Sequence, residues 1–210
     1  MKLLPSFFQD TSTVELARAL LGKVFVYETS LGIISGVINE TEAYNEEDEA
    51  SHTFGGNRTP RNEVMFWEGG HLYVYFTYGM YHCMNVVSES ADYGSAVLIR
   101  SVIPVEGMEI MTKYRYGDTP IPVFPLTGER GKRGSKKNLC NGPGKLCIAL
   151  GITKEQNGAN LCTKDSKIYL EERGYHFSEI VTTSRIGISK GQEKMWRFYA
   201  KEEDLKREEK

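Results

Sequence analysis

Strand-type runs in this sequence follow one another through short connections, and helical stretches interrupt them only irregularly. That order restricts the fold more than any other feature. Lys23–Glu28 and Ile33–Thr41 are rich in β-branched residues and flank Leu31-Gly32, which predicts a hairpin. Leu72–Thr77, Met84–Ser88 and Ser95–Ile103 read as three more strands, and Lys167–Glu171, Ile180–Ile188 and Arg197–Ala200 as late ones. Helices are expected over Thr11–Gly22, where Val14, Ala17, Leu20 and Leu21 share a face, over Asn45–Ser51, from Pro104 through Tyr116, and over Cys140–Leu150. A parallel sheet needs regular strand–helix alternation, which this order lacks, so the expectation is α+β with a mainly antiparallel sheet.

The 210 residues, 40% of them hydrophobic, supply one sizeable core, so residues 1–200 are expected to form a single domain. Residues 201–210 hold four basic and five acidic side chains around a lone Leu205 and read as a charged, fraying tail. No apolar run approaches the roughly 18 residues that span a bilayer, and Pro5 breaks the opening stretch. An intracellular, cytoplasmic protein without a membrane partner is expected. The net charge of -2 gathers no polyanion by itself, so a nucleic-acid partner would need a local patch. Arg130, Lys132, Arg133, Lys136 and Lys137 offer one, unless they are only a mobile basic loop.

Several motifs fail. Gly187-Ile188-Ser189-Lys190-Gly191 matches a nucleophile elbow, yet His52, His71, His82 and His176 all precede the serine, so the hydrolase order cannot be met. Cys83, Cys140, Cys147 and Cys162 have neither zinc spacing nor a dense disulfide framework and read as buried free thiols. Asp48, Glu49 and His52 could share a metal, but an acidic run is more often a solvated face, and no metal or other cofactor is assigned.

Glu42 and Tyr44, two residues apart at the end of a strand, face the same side. Tyr73 and Tyr75 do likewise, and Tyr78 lies in the following turn. This density of phenols suggests stacking surfaces for a planar ligand, against the alternative of a hairpin decorated with half-buried tyrosines. Arg100 interrupts the apolar run Ala96–Ile99 and must be paired, with Glu42 as the natural partner. Asn85 is expected at a strand start.

Together Glu40–Tyr44, His52, Gly55-Gly56, Thr59–Asn62, Leu72–Asn85, Leu98–Arg100 and Cys140–Cys147 resemble the alkyladenine (3-methyladenine) DNA glycosylase family of mammalian type, from about residue 5 to 200. The resemblance implies a compact domain with a curved antiparallel sheet, peripheral helices and no N-terminal extension, and a Ser88–Ser95 loop slightly longer than in the mammalian enzyme. It implies a monofunctional enzyme of base-excision repair, without a Schiff-base lysine, that acts as a monomer on double-stranded DNA containing damaged purines. Glu42 would be the general base and Arg100 would help hold Glu42 and its water. Tyr44, His52 and Tyr75 would wall the base pocket, Asn85 would crowd guanine's amino group, and Tyr78 would wedge into the vacated stack. Thr59, Arg61, Leu98 and Lys145 would contact DNA. The competing readings are a non-catalytic reader of modified bases and a metal-dependent nuclease using Asp48, Glu49 and His52.

Overall fold

A computed structural model describes residues 1–117 and 138–208. Two short helices open the chain, α1 (Pro5–Gln9) and α2 (Thr13–Ala19). Pro5 suits the first turn of α1, where its missing N–H is not needed, and five residues are too few to carry a periodic signal. Ser12 caps α2 by accepting a bond from the Glu15 N–H at 3.3 Å.

The hairpin of β1 (Val24–Thr29) and β2 (Gly32–Tyr44) forms as expected. It is joined by β3 (Leu72–Thr77), β4 (Tyr81–Val87) and β5 (Ala96–Glu106). Next come α3 (Met108–Tyr116), α4 (Pro143–Leu150), β6 (Ile168–Glu171), β7 (Tyr175–Phe177), β8 (Val181–Thr183), β9 (Arg197–Tyr199) and β10 (Leu205–Arg207). The main sheet runs β3-β4-β5-β2-β1-β6, with β9 pairing the far half of β2 and β8 pairing β9. Every pairing described is antiparallel, so the architecture is the expected α+β fold.

Alternation assigns the two faces. Ala43, Leu72, Val74, Met84, Val86, Val97 and Ile99 join one core cluster with Leu16 and Ala17 of α2 and Leu146, Cys147 and Leu150 of α4. The residues between them in sequence face the other way. Around Glu40 the register between β2 and β5 slips twice, after a first slip between Ser35 and Gly36. Ile38 pairs with Val102 and Glu40 with Ser101, leaving Asn39 extra, and Thr41 pairs with Ile99, leaving Arg100 extra. Such bulges bend a strand and re-aim side chains. Both extra residues find partners: Asn39 exchanges backbone and side-chain bonds with Ala200, and the Arg100 carbonyl accepts from the Gly142 N–H at 3.0 Å.

Several expected elements differ. Pro104 lies inside β5, not in a helix; there β5 has β2 on one side and no other strand among the described residues, a setting that tolerates proline. Asn45–Ser51 is a pair of turns closed by Asp48 N–H to Asn45 O and Ser51 N–H to Asp48 O, because the Asp48 side chain is drawn inward. β4 begins at Tyr81, three residues earlier than expected, and only Val181–Thr183 of the 180–188 run is strand. Leu205–Arg207 pairs with β7, which ties down a segment expected to fray. Cys83, Cys140 and Cys147 are buried free thiols, and Cys162 is half-buried. Among the described residues no helix is long and apolar enough to cross a membrane.

Candidate functional site

One register row crosses five strands: Tyr73 pairs with Asn85, Asn85 with Leu98, Leu98 with Glu42, and Glu42 with Arg197. Neighbours in such a row share a face, so the sheet itself brings Tyr73, Asn85, Leu98 and Glu42 side by side. Two residues along the strands, on the same face, lie Tyr75 opposite Cys83, and Tyr44. Asn85 thus sits within β4 rather than at its start, and its amide donates to the Tyr73 carbonyl at 3.0 Å.

These residues line a cavity of about 280 Å³ whose walls include Glu42, Tyr44, His52, Arg61, Tyr73, Tyr75, Tyr78, Cys83, Asn85, Leu98 and Arg100. The volume lies just under the roughly 300–1,000 Å³ of drug-sized ligand pockets, which suits one flat heterocycle better than a larger ligand. His52 is one of the lining residues. Its Nδ1 is 3.1 Å from the Tyr73 hydroxyl and its ring meets Tyr75 edge-on at 4.7 Å. The surrounding protein, and secondarily the Arg61 charge, hold its pKa below the ordinary histidine value, so the ring is neutral at pH 7. Burial pushes the Tyr73 hydroxyl up to about 12 and the Tyr75 hydroxyl higher still, so both phenols stay protonated.

Glu42 is fully buried and held by three donors. The Tyr44 hydroxyl donates to Oε2 at 2.8 Å, Arg100 donates to the same oxygen at 3.2 Å, and the Ile186 N–H donates to Oε1 at 2.8 Å. An ionised carboxylate offers about four acceptor positions. Among the described residues one position on Oε1 is left, and Glu42 is one of the residues that line the cavity. Arg100 is steadied from behind by Glu40, whose Oε1 accepts from Arg100 Nε at 2.8 Å and Arg197 Nε at 2.7 Å. Burial, then the Glu42 charge, raises the Tyr44 hydroxyl well above its usual range, so it remains a donor.

Tyr78 stands at the tip of the β3–β4 hairpin with φ of 50° and 82% of its surface exposed. Phe76 and Met80 flank it, each 49% exposed. Arg61 lies over the Tyr75 ring at 5.6 Å and donates to the Phe76 carbonyl at 3.2 Å. Two residues expected to touch DNA are not part of the cavity wall. Thr59 is bound to Asn62, which also donates to the His52 and Asn57 carbonyls, and Lys145 donates to Asn141 at 3.2 Å. The basic run from Arg130 to Lys137 lies outside the described residues.

The second wall, Ile186, Gly187 and Ile188, gives no functional signal in the sequence. Gly187 and Ile188 belong to the failed elbow motif, and the N–H of Ile186, just before it, is a ligand of Glu42. Arg185 locks this stretch in place. It makes a two-pronged ion pair with Asp48 and donates to the Ala43 carbonyl at 3.0 Å and the Gly191 carbonyl at 3.1 Å. Asp48 is therefore occupied by an arginine, which removes it from the metal set considered above. No cluster of three metal-ligating side chains occurs among the described residues.

Residues 6–204 match the family model described as methylpurine-DNA glycosylase. The chain is 44% identical over 206 residues to a protein of Alkaliphilus oremlandii named "Putative 3-methyladenine DNA glycosylase", covering 96% of each chain. Proteins of the same name from Clostridium perfringens (strain 13 / Type A) and Bacillus cereus (strain AH187) are 44% and 42% identical, with at least 93% of each chain covered. With its full core and cavity inside the matched span, this chain belongs to the methylpurine-DNA glycosylase family.

Proposed function

We propose that this glycosylase takes a damaged purine out of duplex DNA into the aromatic cavity and hydrolyses the C1′–N9 bond with a Glu42-activated water, leaving an abasic site. The observation that carries the reading is Glu42, a buried carboxylate that lines the cavity and is fixed by three donors, which leaves one of its four acceptor positions without a partner among the described residues. Duplex DNA hides the scissile bond, so the nucleotide must leave the stack, at a cost of a few kcal/mol that is smaller for damaged or mispaired bases. Tyr78, exposed at a hairpin tip, is placed to fill the gap as apolar wedges do in kinked minor grooves.

Tyr44, His52 and Tyr75 then face the base. An N3- or N7-alkylated purine is cationic, and stacking on phenol rings adds about 0.5–2 kcal/mol of cation–π attraction. A neutral His52 avoids opposing that charge. Water donates one proton to Glu42 as its oxygen bonds to C1′; the C1′–N9 electron pair leaves with the base, which departs neutral if it was alkylated. The Glu42 charge also favours the oxocarbenium-like sugar. Asn85 narrows the space that the exocyclic amine of guanine would need.

The test is release of free base from alkylated duplex DNA in the presence of EDTA. Wild type is expected to excise and leave abasic sites, while Glu42→Gln keeps the fold and the affinity for an abasic-analogue duplex but loses about 10²–10⁴ in rate. Near-wild-type excision by that variant removes Glu42 from the mechanism. Binding without excision by wild type makes the chain a reader of modified bases, and excision abolished by EDTA makes it a metalloenzyme.

A further inference from the structure

We infer that Asp48 and Arg185 form a buried positioning pair for the hydrolytic step, setting Glu42 through the peptide segments on either side of it. Both side chains are completely buried. The inference rests on the reading of Glu42 as general base. Apart from Arg100, each group that holds Glu42 is fixed by Arg185. The Ile186 N–H follows it directly in the chain. Tyr44 lies under its guanidinium at 4.7 Å, and the Ala43 carbonyl, between Glu42 and Tyr44, accepts one of its N–H groups. Arg185 touches none of the reacting atoms.

Two further observations show how closely the pair is built into this wall. The Arg185 guanidinium also lies over the Trp196 ring at 5.4 Å. Gly191 has φ of +62°, and a Cβ there would lie 2.7 Å from Asp48 Oδ1 and 3.0 Å from an Arg185 nitrogen, so the chain closes on the pair as tightly as it can. The charged groups facing the pair are Lys194, whose Nζ is 3.6 Å from Asp48 Oδ1, and Glu42. Loss of the pair frees the 185–191 segment, the Ile186 N–H drifts from Oε1, and the carboxylate loses one of the three donors that hold it in position.

The experiment is single-turnover excision as a function of enzyme concentration, with Asp48→Asn and with the double variant Asp48→Leu/Arg185→Met, which leaves no unpaired buried charge. The expected result is a maximal rate about 10–10²-fold lower, as for a small misplacement in a reacting constellation. The half-saturating concentration stays unchanged, because neither member of the pair lines the cavity or belongs to the hairpin tip. An unchanged rate, or a loss confined to half-saturation, overturns the inference. So does failure of both variants to fold, since the fold then accounts for the pair. Glu42→Gln run alongside separates the two claims: if it excises normally, the general-base reading fails whatever the pair does.

Discussion

The two walls of the cavity are built by opposite means. The β3–β4 hairpin contributes Tyr73, Tyr75, Tyr78, Cys83 and Asn85 from thirteen consecutive positions, ordered by strand alternation and a tight turn. The 185–188 wall has no regular structure, and a buried ion pair to a residue 137 positions earlier holds it. The hairpin can therefore present large, exposed aromatic groups at little cost to the fold, whereas the opposite wall cannot be altered without disturbing the interior. The first wall is where binding can vary, and the second is where stability and the set of the carboxylate are joined.

The largest effect expected from this contrast is on stability. Arg185→Ala strands a buried Asp48 and should cost ~3–5 kcal/mol, which at ~2–4 °C per kcal/mol lowers the melting temperature by on the order of 10 °C. Tyr78→Ala should leave it within about 1–2 °C, as for an ordinary surface change. Comparable losses in thermal unfolding would erase the distinction between the walls. In affinity the order reverses: Tyr78→Ala should weaken binding to an abasic-analogue duplex by about 10–100-fold, the worth of one lost stacking contact. Unchanged binding in a titration would show that the hairpin tip does not enter the stack.

A smaller effect is expected inside the hairpin wall. Asn85→Ser should raise excision of undamaged guanine relative to 3-methyladenine by about 10-fold, since a shorter side chain vacates space near the amine. An unchanged ratio of released bases assigns Asn85 to the Tyr73 carbonyl alone. The smallest concerns His52. Burial lowers its pKa, so it charges only below the ordinary range, and protonation then sets a cation against a cationic base. The ratio of 7-methylguanine to hypoxanthine release should be flat from pH 8 down to the ordinary histidine value of 6.5 and fall a few-fold at lower pH. Groups that act on the sugar serve both reactions and cancel in the ratio, so a flat ratio throughout means that His52 does not face the charged ring.

The same contrast explains what the sequence discloses. Glu42, Arg100 and the tyrosines are legible because a period of two places them on one face, and because a guanidinium within an apolar strand demands a carboxylate. The bulges at Asn39 and Arg100 are not legible, since they depend on Ala200 and on Gly142, far along the chain. Asp48 reads as a solvated acid because its local sequence is acidic, and only the distant Arg185 makes it an interior residue. Pro104 reads as a helix start because nothing local reveals that its strand lacks a second neighbour at that point. Of the four thiols expected to be buried, Cys83, Cys140 and Cys147 are, while Cys162 is half-buried.

The register row from Tyr73 to Arg197 also sets a schedule for the growing chain. Glu42 leaves the ribosome early, but Ile186 and Arg197, which complete its surroundings, come about 150 residues later. At roughly 5–20 residues per second that interval is on the order of 10–30 s. During it Glu42 has β5 as a strand neighbour but neither β9 nor the Ile186 N–H. A nascent chain can thus hold the β3–β4 hairpin before it holds the full surroundings of Glu42, which are complete only with the last strand of the main sheet.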